Sequence, residues 1–235
     1  MDSQKQTVRY VTAHDGVRLA WAACGRGPAM VKGAHWITHL EYDWESPVWN
    51  HWMRFLTSNF TLIRYDERGN GLSQRDPEDV SEPHWLPDLE SVVNAAMPEE
   101  PMALLGVSQG SVSCIKFAAK YPERVSHLVI YGGYARGYGE RSNAEALREF
   151  QAIVELTELG WGRSEPLYRR LFTNRFLPEG TEEQMAWFDR HCATTTDARM
   201  AAELLRSRLH INVTDLLGEI KVPTLVVHAV GDRVA

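Results

Sequence analysis

The sequence predicts an α/β fold, a mostly parallel central sheet with helices on both faces and a helical insertion. Three observations carry this expectation. Short continuous apolar runs, suited to strands covered on both faces, alternate with helical stretches. Residues 135–214 hold helical patterns and no strand pattern. The chain has 235 residues, 44% hydrophobic and 24% charged, the balance of one large globular domain with room for an insertion.

The elements follow in order. Residues 9–12 and 17–23 alternate polar and apolar side chains around His14-Asp15-Gly16, which reads as a hairpin. Gly25-Arg26-Gly27-Pro28 breaks the chain before a short run at 29–31. Residues 60–65 and 102–107 are continuous apolar runs, and the second leads through Ser108 into a helical stretch at 112–121. Residues 128–131 and 224–227 read as two further buried strands. Between them, apolar residues from Ala144 to Leu159 recur at helical spacing. Residues 167–176 are amphipathic, Thr181-Glu182-Glu183-Gln184 has the form of a capping box, and 197–209 gives another helix. The division expected is a core of residues 1–134 and 215–235 with a helical cap at 135–214.

Composition narrows the function classes. The net charge of −6 offers no basic surplus for nucleic acid or an anionic membrane, and the 20 arginines are spread along the chain. Cys24, Cys114 and Cys192 lie too far apart for a paired metal or redox motif, and their odd number argues against a disulfide framework. No signal-peptide pattern and no apolar run of membrane length is present, so a cytoplasmic setting is expected. No phosphate loop, dinucleotide fingerprint or paired metal-ligand motif implies a cofactor or metal.

Gly106-Val107-Ser108-Gln109-Gly110 is a G-x-S-x-G pentapeptide between an expected buried strand and an expected helix. The turn is so tight that its flanking positions must be small, and it aims a helix N-terminus at the serine. Ser108 is therefore the candidate nucleophile, the alternative being a serine that caps a helix.

Here the chain resembles the α/β-hydrolase family. Asp66-Glu67-Arg68-Gly69-Asn70-Gly71-Leu72-Ser73 resembles that family's D-x-R-G-x-G-x-S turn, and Pro122-Glu123-Arg124-Val125 its link into the next strand. Pro223 to Asp232 is similar to the strand that ends in the catalytic acid. The segments 39–44, 65–69, 106–110 and 131–137 are similar to a narrower bacterial group, whose members occur alone or joined to cyclase or transcription-regulator modules. The resemblance implies an α/β-hydrolase fold, Asp232 as acid, and an oxyanion hole built from the backbone N–H groups of Gln109 and Trp36. The family's His-Gly pair is absent at Ala34-His35-Trp36, and His35 is the alternative to Trp36 as the second donor.

The family's base is a histidine after the acid, whereas all nine histidines here precede Asp232, so the base is expected outside this chain. His35 and His39 are the local candidates for a substitute or for lining the pocket, with His84 behind them. His228, His191 and His210 read as packing or solvated residues, His14 and His127 as surface residues. Trp36, Trp44, Trp161, Trp187 and Phe188 are either pocket lining or core, the commoner fate of large aromatics. The function implied is a carboxylesterase-type acyl hydrolase taking a small-molecule ester. The alternatives are a non-catalytic small-molecule binder, a lactonase or a C–C hydrolase. An uncovered strand at 224–227 would favour a homo-oligomer paired edge to edge.

Overall fold

The computed structural model describes residues 6–141, 143–163, 168 and 173–232. Seven strands form one sheet: β1 (Thr7–Thr12), β2 (Arg18–Gly25), β3 (Ala29–Lys32), β4 (Thr61–Tyr65), β5 (Met102–Val107), β6 (Val125–Tyr131) and β7 (Thr224–Val227). Their spatial order is β1-β2-β4-β3-β5-β6-β7. β1 pairs with β2 and β2 with β4 antiparallel, and every pairing from β4 through β7 is parallel. The hairpin expected around Gly16 is the β1–β2 turn.

The helices are α1 (Asn50–Asn59), α2 (Trp85–Ala96), α3 (Gly110–Lys120), α4 (Tyr138–Arg141), α5 (Ala144–Gly160), α6 (Glu182–Thr195) and α7 (Ala198–Arg206). The crossovers β3–α1–β4, β4–α2–β5 and β5–α3–β6 explain the continuous apolar runs. On one side Val31, Ile63, Leu104 and Leu128 pack with Leu89, Val92 and Val93 of α2 and Phe117 of α3. On the other, Met30, Leu62, Ala103 and Leu105 pack with Leu56 of α1. Successive residues of β4 and β5 thus enter different cores, which neither an alternating nor a helical pattern would satisfy.

Between β6 and β7 lie α4 to α7 and an apolar cluster of their own. Phe150, Val154, Trp187, Phe188, Cys192, Ala202 and Leu205 meet Ile37 from the loop after β3. Thr181 forms the capping box: its Oγ1 accepts from Gln184 N at 3.2 Å, and Gln184 Oε1 accepts from Thr181 N at 2.9 Å. Asp197 is not the first residue of its helix but its N-cap, accepting from Met200 N at 2.8 Å, and the helix stops at Arg206, short of 209. Half of the stretch 167–176 lies outside the described residues. An isolated antiparallel bridge, Arg136 to Asn212, is the one β contact here among the described residues.

β7 is the outermost strand described, with Leu225 57% and Val226 65% exposed. Among the described residues no helix is long and apolar enough to cross a membrane.

Candidate active site

Ser108 sits between β5 and α3 at the carboxyl edge of the parallel strands. β5 is apolar and buried almost to its end, so the chain leaves the sheet abruptly. Ser108 then adopts φ +50°, a left-handed conformation that costs a non-glycine residue energy and is held by its surroundings. Its N–H donates to the Tyr131 carbonyl at 2.9 Å, and its own carbonyl accepts from Ser111 Oγ at 2.6 Å. The glycines of the pentapeptide are enforced by contact. A Cβ on Gly106 would lie 2.5 Å from Ser111 Cα, and one on Gly110 would lie 2.7 Å and 2.8 Å from the carbonyl oxygens of Ala34 and Gly33. Strand, helix and the loop after β3 are therefore in backbone contact. α3 begins at Gly110 and points its N-terminus at the serine, where it favours negative charge.

The loop after β3 brings Trp36 to Gln109, through a side chain the sequence reading had not singled out. Trp36 N donates to Gln109 Oε1 at 3.0 Å. Gln109 Nε2 donates to Glu67 Oε1 at 3.3 Å, and Arg208 Nη2 donates to Glu67 at 2.7 and 2.8 Å and to Gln109 Oε1 at 3.2 Å. Glu67, Gln109 and Arg208 are all buried. Burial pushes the Glu67 carboxyl above its usual range, and the Arg208 guanidinium opposes that rise. Glu67 and Arg208 are 141 residues apart, so no local signal pairs them. The turn that carries Glu67 is held on both sides. Arg68 grips Asp88 at 2.6 and 2.7 Å and Asp15 at 2.7 Å, and Asp66 Oδ2 accepts from Leu40 N at 3.1 Å and Leu72 N at 2.9 Å. Burial pushes the Asp66 carboxyl up to about 7.

The family model described as "Serine aminopeptidase, S33" matches residues 50–235, which span the strand–serine–helix turn and every strand from β4 onward. The chain belongs to this α/β-hydrolase family. Its curated relatives include a pyrrolizixenacetamide deacetylase of Xenorhabdus hominickii, 25% identical over 56% of this chain and 48% of the relative. A putative carbamate hydrolase of Azorhizobium caulinodans is 28% identical over 78% of this chain and 68% of the relative. The match to the first thus spans about half of that relative's length. Among solved structures, an esterase from Exiguobacterium antarcticum superposes with TM-score 0.76 at 21% identity, covering 94% of this chain and 80% of that one. A hydrolase from Pseudomonas aeruginosa superposes with TM-score 0.75 at 20% identity over 97% and 83%. Both likenesses show the fold.

In this α/β-hydrolase Asp232 lies beside the end of β6. Its Oδ2 is 3.6 Å from where a Cβ on Gly132 would stand, and Gly132 follows the residue whose carbonyl holds Ser108 N. The structure therefore sets Ser108 and Asp232 on either side of Tyr131-Gly132. His228, read from sequence as a packing residue, is instead 39% exposed and places Nε2 3.4 Å from Asp232 Oδ2.

Four other histidines make polar contacts within the described structure. His35 Nδ1 donates to the Trp36 carbonyl at 2.9 Å, and burial holds the ring well below the usual histidine range. His39 Nδ1 accepts from Tyr42 N at 3.2 Å, and burial again lowers its pKa. His191, fully buried on α6, stacks on Trp187 and donates Nε2–H to the Ile37 carbonyl at 3.2 Å. His84 is engaged by Asp15 and Asp79 in the turn before α2. The aromatics divide too. Trp36 meets Trp161 and Phe176, with ring centroids 5.7 and 5.6 Å apart. Trp187 and Phe188 are buried in the helical cluster, whereas Trp44 stands apart, under the Arg64 guanidinium and bonded to Gln6.

Proposed function

We propose that this protein is a serine-dependent acyl hydrolase of the carboxylesterase type, acting on small or medium acyl esters with Ser108 as nucleophile. The observation that carries the reading is Ser108 itself: a serine held at φ +50° between a buried strand and a helix N-terminus, with glycines packed against backbone on either side. That arrangement presents Oγ above the sheet, where the helix dipole favours the charge that develops on attack. Oγ adds to the ester carbonyl, its proton passes to a base, and the alcohol leaves an acyl-enzyme that water hydrolyses. The Gln109 N–H is one donor to the oxyanion. The Trp36 N–H is the second once the substrate oxygen replaces Gln109 Oε1 on it. Asp232 is the acid that orients the base. The relatives' names, a deacetylase and a carbamate hydrolase, denote cleavage at acyl or carbamate carbon.

A fluorophosphonate probe tests this. It labels the wild-type chain at one residue, Ser108, and leaves Ser108→Ala unlabelled. An unlabelled wild-type chain overturns the reading. It would favour the second one, a small-molecule binding module, which the occupied Trp36 donor also suits. Hydrolysis of p-nitrophenyl esters of increasing chain length then sets the acyl preference.

A further inference from the structure

His14, Asp15 and His84 converge from two segments. His14 and Asp15 lie in the β1–β2 turn, and His84 closes the short 3-10 turn Glu82–His84 before α2. One ligating atom from each falls within 4.8 Å of the others. The two imidazole centroids are 5.5 Å apart.

The hydrogen bonding of His84 is the informative feature. Its Nε2 lies 3.2 Å from Asp79 Oδ2, within hydrogen-bond reach, so the ring proton belongs on that side. Asp79 is itself fixed by Ser81 N at 2.7 Å. The other nitrogen, Nδ1, is shut away from solvent and makes no hydrogen bond. It faces Asp15 Oδ2 at 3.2 Å. That contact needs a cation, either a second ring proton that makes His84 an imidazolium or a metal ion between the two atoms. Two donors bound to one tetrahedral metal at about 2.0–2.1 Å stand about 3.3 Å apart, which is the separation seen. An imidazole that ligates through one nitrogen and donates the other N–H to a carboxylate is the usual outer arrangement of a protein metal site.

The local charge suits a cation as well. Arg68 pairs with Asp15 at 2.7 Å and with Asp88 at 2.6 Å, so one guanidinium serves two carboxylates and, with Asp79, the cluster keeps a surplus of negative charge. Two nitrogen donors and one oxygen donor match Zn²⁺ and its borderline neighbours better than Mg²⁺ or Ca²⁺, which take oxygen.

We propose that His14, Asp15 and His84 bind one divalent transition metal of the Zn²⁺ class, water completing the coordination, with Asp79 orienting His84. The ion staples the β1–β2 turn to the segment entering α2, and its binding adds to folding stability.

Titrating the metal-free full chain with ZnCl₂ by calorimetry tests this. One Zn²⁺ binds per chain, and at a hundredfold excess over Kd the melting temperature rises by about 5–10 °C. His14→Ala, at an exposed position that leaves the fold intact, abolishes both effects. Asp79→Asn weakens binding about 10- to 100-fold. His210→Ala, at an exposed histidine elsewhere, changes neither. Co²⁺ gives the visible absorption of a four-coordinate site, which is lost in His84→Ala. Absence of Zn²⁺ binding, or binding unchanged in His14→Ala, overturns the proposal. So does an NMR spectrum in which His84 carries protons on both nitrogens in the presence of Zn²⁺.

Discussion

Replacing Arg208 with methionine keeps an unbranched stem against the Trp85 ring, over which the guanidinium now lies at 5.3 Å, and removes only the charge and its donors. What remains is a Glu67 carboxylate with a 4% exposed side chain. Its remaining donors among the described residues are Asn70 Nδ2 at 3.1 Å and Gln109 Nε2 at 3.3 Å. Stranding one member of a buried pair costs about 3–5 kcal/mol, against a total stability of about 5–15 kcal/mol. For a chain of this size the melting temperature falls by about 6–20 °C. The pH dependence fixes the mechanism. Glu67 already titrates above its usual range through burial, and losing Arg208 raises it further. A carboxyl with a raised folded-state pKa contributes stability below its unfolded pKa and loses it as pH climbs through the folded value. The deficit of Arg208→Met is therefore smaller at pH 5 than at pH 8. Adding Glu67→Gln recovers more than half of it, because neither charge then remains. Urea unfolding at both pH values measures all three. A loss under 1 kcal/mol, or one that is equal at pH 5 and pH 8, refutes the reasoning.

Two further outcomes are expected. Gly110→Ala drives a methyl group into two backbone carbonyls, so the Trp36 loop must move; kcat toward a p-nitrophenyl ester falls about 10- to 100-fold with KM little changed, and an unaltered kcat contradicts the contact argument. The exposed apolar edge of β7 promotes self-association, so light scattering shows a mass that rises with concentration and that Val226→Lys returns to a monomer; a wild-type chain that is monomeric throughout contradicts it.

Much of the scaffold was legible because its signals are local. β4 and β5 declare themselves by apolar runs that serve two cores at once, and Gly106-Val107-Ser108-Gln109-Gly110 by the steric demands of a single turn. Thr181 and Gln184 announce a helix start within four residues. The helices α1 and α2 escaped because neither has a side chain capping its N-terminus, and α2 carries Pro87 in its first turn. The candidate site was legible only in part, for a different reason. The carboxamide on Trp36 N is oriented by Glu67 and Arg208, from distant parts of the chain, and nothing in the sequence near any of them refers to the other two. His228 was misjudged because an exposed partner for Asp232 and an interior histidine share the same position at a strand's end.

The contact of Gly110 with Gly33 and Ala34 has a consequence for how such a protein can change. The backbone of the Trp36 loop and the backbone entering α3 touch with no side chain between them. Their spacing is consequently a property of two main chains and is insulated from substitution among the surrounding aromatics. Trp161 and Phe176, which meet the Trp36 ring, can therefore be exchanged while the interval between the Trp36 and Gln109 amides stays as it is. Aromatic packing and amide geometry are thereby separable traits, free to drift independently.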